Sequence, residues 1–253
     1  MGTSGESVAK HDPFVYFANI ITSSVDCGST TNPGLVVPAG AGSISCPQSA
    51  SDIPSTAANA LVNDFNFQPP NPSPPNLAFL VPNLLDDSHD CSVSSADYYL
   101  NVVLPKLFNT YTFQHRRAAV VVTCDEPKGT DNAQTTPLYF AMAGPMARSG
   151  SYTYSTSLSL NHYSLLKAIE DNFGLTEIGN SATSSSGIAS MFYPAGDVDA
   201  DCADTIGDLA SIAIVFGATS TQTNFNPMAD LDGNGAINIV DLAISAINFN
   251  VTC

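Results

Sequence analysis

Two twelve-residue segments, DVDADCADTIGD at 197–208 and DLDGNGAINIVD at 230–241, stand 33 residues apart (230 against 197). In both, oxygen-bearing side chains fall at positions 1, 3, 5, 9 and 12. That alternation lets a loop of this length turn its oxygens toward one point, with position 7 adding a main-chain carbonyl. The first segment offers Asp197, Asp199, Asp201, Thr205 and Asp208, plus the carbonyl of Ala203. The second offers Asp230, Asp232, Asn234, Asn238 and Asp241, plus the carbonyl of Ala236. All-oxygen sets suit hard cations, and the spacing predicts one calcium ion in each loop. Each segment runs into an apolar helical stretch, LASIAIVF after the first and LAISAINF after the second. A lone D-x-D-x-D would fit a solvated acidic turn equally well. Two in register, each followed by Leu, favour the cation.

Residues 196–253 resemble a type I dockerin, whose loops end in Asp where ordinary EF-hands have Glu. The resemblance implies a small all-α calcium-binding module of paired EF-hand-like loop–helix units. It also implies a cohesin-like partner and an anchoring role. One departure stands out: position 6 of the first loop is Cys202, where Gly usually supplies a sharp turn. A residue with a Cβ is strained at positive φ. The first site is therefore expected to be distorted or weaker, with a Cys202–Cys253 disulfide compensating.

The chain has 23 acidic residues against 7 basic ones, a net charge of −16. That excludes nucleic acid as a natural partner, because phosphate backbones need Lys and Arg. Six cysteines without a C-x-x-C pair point to extracellular disulfides rather than zinc or redox chemistry. Proximity in sequence suggests Cys27–Cys46 and Cys91–Cys124. No stretch is long and apolar enough to span a membrane. The opening MGTSGESVAK has no apolar core, so it is not read as an export signal. The expectation is a secreted or cell-surface protein, seen as a mature form or a fragment.

Upstream, 1–177 alternates apolar runs with turn-rich stretches, and a tail and linker are read over 178–195, rich in Asn, Ser, Thr and Gly. PFVYF at 13–17, NLAFLVPN at 76–83, AAVVVTC at 118–124 and PLYFAMAG at 137–144 are expected as buried strands. One helix should follow Ser94, with Tyr99, Leu100, Val103 and Leu107 on one face and a break near Pro105. A second should start at an Asn161 cap, group Leu165, Leu166, Ile169 and Phe173, and stop at Gly174. Such alternation predicts an α/β layered sheet.

His11, Asp87, His89, Asp125, Glu126 and His162 are the chemistry-bearing residues of this part. Asp125 and Glu126 follow the hydrophobic run VVVTC, and ligands collect at such strand ends in open α/β sheets. Taken singly, each has a plainer role: His162 as a helix cap, His11 as a surface pair with Lys10, the rest as solvated turns. Together, ESVAKHDPFVYF, PNLLDDSHDC with SADYYLNVVLP, VVVTCDEP and HYSLLKAIEDNFGL resemble the phosphoesterase family of acid phosphatases and non-haemolytic phospholipases C. The resemblance covers roughly 5–175. It implies an alkaline-phosphatase-like fold that hydrolyses phosphate esters at a site assisted by a divalent metal. It casts Asp125 and Glu126 as metal ligands, and His11, Asp87, His89 and His162 as catalytic-site residues. The family's nucleophile and Glu-Asn pair belong to an upstream half of the fold, and no Ser or Thr here matches that motif. A partial domain is therefore expected.

Three functions fit this layout. One is a secreted phosphoesterase with a calcium-dependent anchoring module. The second is a non-enzymatic extracellular assembly protein that grips a cohesin-like partner or a neighbouring copy, as a homo-oligomer or filament. The third is a calcium-stabilised surface module that neither catalyses nor polymerises.

Overall fold

The computed structural model describes residues 42–66, 75–127, 136–148 and 160–253. The chain divides into two compact units, Met1–Gln114 and His115–Cys253. The run at 13–17 and His11 lie outside the described residues.

In the first unit, helix α1 (Asn59–Phe65) precedes the longer α2 (Val93–Phe108). Ser92 starts α2, its hydroxyl accepting from the N–H of Ser95 at 3.2 Å. Tyr99, Val103 and Leu107 recur every fourth residue and are buried, as helical periodicity demands. Tyr99 and Val103 pack with Ile53, Ala57 and Ala58. The expected break near Pro105 does not occur, and the helix runs through it. Pro105 removes one N–H from the ladder, and the helix continues past it to Phe108. A short helix α3 (Tyr111–His115) follows, with Phe113 stacked edge-on against Phe108 at 5.4 Å.

The run 76–83 is not a strand, and Leu77, Phe79 and Val81 are exposed. Its alternation of apolar residues and Pro mimics a strand, but Pro75 and Pro82 withhold ladder donors. The disulfide is Cys46–Cys91, with Cα atoms 5.5 Å apart. It replaces both pairings expected from proximity, Cys27–Cys46 and Cys91–Cys124. The N–H of Ser43 donates to Asp86 Oδ2 (2.9 Å), Asn83 Nδ2 to the Ser43 carbonyl (3.0 Å), and the Ser95 hydroxyl to the Pro47 carbonyl (3.0 Å). These bonds bring 43–47 against 83–95, so Cys46 faces a cysteine distant in sequence.

In the second unit, strands β1 (Val120–Thr123) and β2 (Phe140–Ala143) pair antiparallel, Val120 opposite Ala143 and Thr123 opposite Phe140. The chain is thus mixed α/β with a small antiparallel sheet, and these strands are only half-buried. Helix α4 (His162–Asn172) begins at Asn161, whose Oδ1 accepts from the N–H of Tyr163 (3.0 Å) and Ser164 (3.1 Å). It ends as expected before Gly174, which takes φ 61°. Its buried residues are Ser164 and Glu170 rather than the apolar set, and Phe173 is exposed. The Glu170 carboxylate faces inward because it accepts from the Ser181 hydroxyl (2.6 Å) and the Ile178 N–H (3.2 Å).

Within 178–195, 3-10 turns form at Gly179–Thr183 and Ala189–Met191. The N–H of Arg148 donates to the Met191 carbonyl (2.9 Å) and that of Tyr193 to the Met146 carbonyl (3.1 Å). Main-chain bonds of this kind need no apolar side chains, so a polar stretch makes them readily. Helices α5 (Ile206–Ile214) and α6 (Ile239–Asn248) follow the acidic loops. Val198, Ile212, Ala218, Ala229 and Ile237 form their shared core.

Candidate functional site

The first and last aspartates of the two acidic loops make matching bonds. In the first, Asp208 Oδ1 accepts from the N–H of Val198 (2.7 Å) and Asp199 (3.3 Å), and Oδ2 from Thr205 (2.7 Å). In the second, Asp241 Oδ1 accepts from Leu231 (2.7 Å) and Asp232 (3.3 Å), and Oδ2 from Asn238 (2.7 Å). Asp197 Oδ2 accepts from the N–H of Cys202 (2.8 Å), and Asp230 Oδ2 from that of Gly235 (2.9 Å). Asp197, Asp208, Asp230 and Asp241 are all buried.

Carboxylate oxygens of Asp197, Asp199 and Asp208 lie within 4.8 Å of one another, as do those of Asp230, Asp232 and Asp241. Burial pushes the Asp197 carboxyl up, and repulsion from Asp208 adds to it, while main-chain N–H donors oppose it. Asp199 is raised by burial and by Asp208 and Asp201. Asp230 is pushed up to about 6 by burial, with Asp241 and Asp232 adding. Burial also acts on Asp208, but N–H donors from Thr205, Val198 and Asp199 outweigh it and hold its pKa low. Among the described residues, no ion pair reaches either loop. Each loop thus holds three clustered carboxylates against the more distant charge of Arg117.

Position 7 is oriented by its neighbours. Around Ala203, Cys202 accepts from the N–H of Cys253 (3.0 Å) and the N–H of Asp204 donates to Val251 (2.9 Å). Around Ala236, Gly235 accepts from Ser220 (2.9 Å) and Ile237 donates to Ala218 (2.9 Å). Since the flanking residues make the bridge bonds, the groups of Ala203 and Ala236 face the other way, into the loop. The Ala203 N–H indeed donates to Asp201 Oδ1 (2.9 Å), and that of Ala236 to Asn234 Oδ1 (2.8 Å). Thr205 and Asn238, assigned to position 9, are helix caps, accepting from Gly207 (3.1 Å) and Val240 (2.8 Å). Asp201 stands outside the clustered carboxylates of its loop. The donor set fits a hard cation, with three carboxylates and an inward carbonyl in each loop.

Cys202 takes φ 75° where Gly235 takes 84°, and Ala200 takes 63° where Gly233 takes 69°. The Cys202–Cys253 disulfide expected from the sequence is present, its Cα atoms 5.2 Å apart.

In the phosphate-ester candidate site, Asp125 and Glu126 emerge exposed just past β1. The ring of His162, first residue of α4, donates from Nε2 to the Asp125 carbonyl at 2.7 Å. A carbonyl only accepts, so this bond places the proton on Nε2. Asp125 Oδ1 accepts from the Glu126 N–H at 3.0 Å. The fold thus brings His162 to Asp125 across 37 residues of chain.

Asp87 and His89 belong to the first unit. Asp87 Oδ1 accepts from the His89 N–H at 2.8 Å, and His89 Nδ1 pairs with Asp90 Oδ1 at 2.8 Å. Asn83 organises this loop, its Oδ1 accepting from the N–H of Leu85 and Asp86, both at 3.0 Å. Burial pushes the Tyr99 phenol upward, and the buried Asp86 adds to it.

A model of the Phosphoesterase family matches residues 45–176, just over half of the chain. The chain belongs to the phosphoesterase family. A phosphatidylinositol-3-phosphatase of Mycobacterium tuberculosis is 27% identical over 177 residues, 70% of this chain and 45% of that relative. The chain thus spans less than half the length of the curated relative it matches. No solved structure matches it.

Asn83, the Arg116–Arg117 pair and Asp204 were not singled out from sequence. Asn83 and Asp86 anchor residues 42–43, where a Cβ on Gly42 would lie 2.2 Å from Asn83 Nδ2. Arg116 and Arg117 reach the acidic loops. Asp204 is fully buried beside them. An unaligned Asp204 against Ile237 was visible at the 33-residue offset. The arginine contacts, spanning 117 and 111 residues, left no local pattern.

Proposed function

We propose that this chain is a phosphate-ester hydrolase-like protein carrying a dockerin-type module that takes one calcium ion in each acidic loop. The observation that carries the calcium reading is the duplicated bond pattern around four buried aspartates whose carboxylates make no direct ion pair among the described residues. A buried charge needs a counter-charge, and hard divalent ions bind oxygen sets of this composition. The module would attach the protein to a cohesin-like partner outside the cell, an environment that suits its disulfides.

Family membership and the relative named as a phosphatidylinositol-3-phosphatase support hydrolysis of phosphate esters. Asp125 and Glu126 would hold a divalent metal beside His162, and the family resemblance casts His11, Asp87 and His89 as catalytic residues. Such a metal polarises phosphoryl oxygens when bound. His162, held by the Asp125 main chain, fixes the geometry of the turn that presents both carboxylates. The test is release of phenolate from an aryl phosphate by the full-length gene product with divalent metals. Asp125→Ala should lower the rate by at least the roughly 10–100-fold that loss of an outer-shell partner costs a metal site. No hydrolysis with any divalent metal would defeat this reading.

A second reading, a non-enzymatic assembly protein, is favoured by one observation. Ile206 and Ile239 are 72% and 68% exposed, and Ile214 and Ile247 are 82% and 83% exposed, each pair at the 33-residue repeat. Two matching apolar positions on two helices suit a partner or a neighbouring copy. A monodisperse monomer by light scattering in calcium, retaining no partner, would count against it.

A further inference from the structure

Two arginines tie the acidic loops to the segment that leads into β1. Arg117 Nη1 donates to the Met228 carbonyl (2.9 Å) and to the Asp197 carbonyl (3.4 Å), and Nη2 to the Pro194 carbonyl (3.1 Å). Arg116 Nη1 donates to the Gly233 carbonyl (3.0 Å). Asp197 opens the first loop, Gly233 lies within the second, and Met228 stands two residues before Asp230. One planar guanidinium therefore joins the first loop to the segment leading into the second, which its fork of donors allows and an ammonium would not.

Asp204 makes this docking specific. It occupies the place of Ile237 at the 33-residue offset, and both are fully buried. Its Oδ1 accepts from the Ser245 hydroxyl (2.9 Å), while Oδ2 has no hydrogen-bond partner. A carboxylate so buried requires positive charge nearby. Burial pushes the Asp204 carboxyl up, and the Ser245 hydroxyl and, least, attraction to Arg117 oppose that. From Arg117 the chain continues to Ala118, whose carbonyl accepts from the Met146 N–H (3.1 Å), and then into β1 and Asp125.

We propose that Arg117, assisted by Arg116, is a positioning residue that couples cation binding in the two loops to the order of β1 and the turn bearing Asp125 and Glu126. This rests on calcium occupying the loops. A cation gathers carboxylates that otherwise repel and so fixes the main chain of 197 and 233, whose carbonyls are the arginine acceptors. Calcium is then an effector of the phosphoesterase segment as well as a support of the attachment module. Such coupling is reciprocal between the two ends.

Hydrogen exchange on the full chain, in calcium and in chelator, tests this alongside calorimetric calcium binding. Calcium should slow exchange in both loops and, on the order of tenfold, in amides of 118–126. In Arg117→Met the loops should keep calcium protection while the effect at 118–126 disappears, and Arg117→Lys should restore only part of it. If Arg117→Met does not fold, Arg116→Gln should show a reduced effect, and the wild-type comparison remains decisive. Loop protection with no change at 118–126 in the wild type overturns the coupling and leaves calcium binding standing. Equal effects at 118–126 in wild type and folded Arg117→Met also overturn it. No heat and no protection anywhere overturns calcium binding and the coupling together.

Discussion

Cys202 and Gly235 hold the same left-handed backbone turn, at φ 75° and 84°, one repeat apart. Glycine adopts it freely, whereas a Cβ there costs roughly 1–2 kcal/mol. Ala200 repeats the problem opposite Gly233. The free first loop can relax and the occupied one cannot, so it should bind calcium about tenfold more weakly than the second. Reduction should weaken it further by releasing Cys202 from Cys253, and leave the second unchanged. Calcium titration with and without reductant measures both.

Asp241→Asn keeps the shape of a fully buried side chain and removes its charge. One ion per chain should be lost, while the loop at 197–208 still binds. Asp208→Asn should give the converse. Stoichiometry by calorimetry reads the outcome directly.

His162→Ala removes the bond to the Asp125 carbonyl but leaves the Asn161 cap of α4 intact. Helical circular dichroism should be unchanged. Hydrolysis of an aryl phosphate by the full-length gene product should fall by about tenfold or more, as for supporting partners of a metal site.

Gly196→Ala would place a Cβ 1.5 Å from Asp204 Oδ2. The carboxylate is buried and held by Ser245, so something must shift. Urea unfolding should show a loss of about 1–3 kcal/mol, the range for overpacking. Ile237→Ala, which empties a fully buried core position, should cost about 2–5 kcal/mol.

The acidic loops were legible because their spacing and turn chemistry are local. Asp197 meets Asp208 eleven positions on, and the strain at Cys202 follows from comparison with Gly235. The Asn161 cap and Gly174 stop were legible for the same reason. The Cys46–Cys91 bond was not, because main-chain contacts of Ser43 with Asn83 and Asp86 decide it. The run at 76–83 was misread because its prolines break a ladder that its apolar residues imitate. Arg117 was silent in sequence, since its acceptors are carbonyls that any residue carries.

The most direct test is isothermal titration of the full, oxidised chain with calcium. Two ions per chain should bind with unequal affinity, the tighter lost in Asp241→Asn and the weaker in Asp208→Asn. A chain that takes up no calcium, or whose binding survives both substitutions, would contradict the assignment of the loops at 197–208 and 230–241.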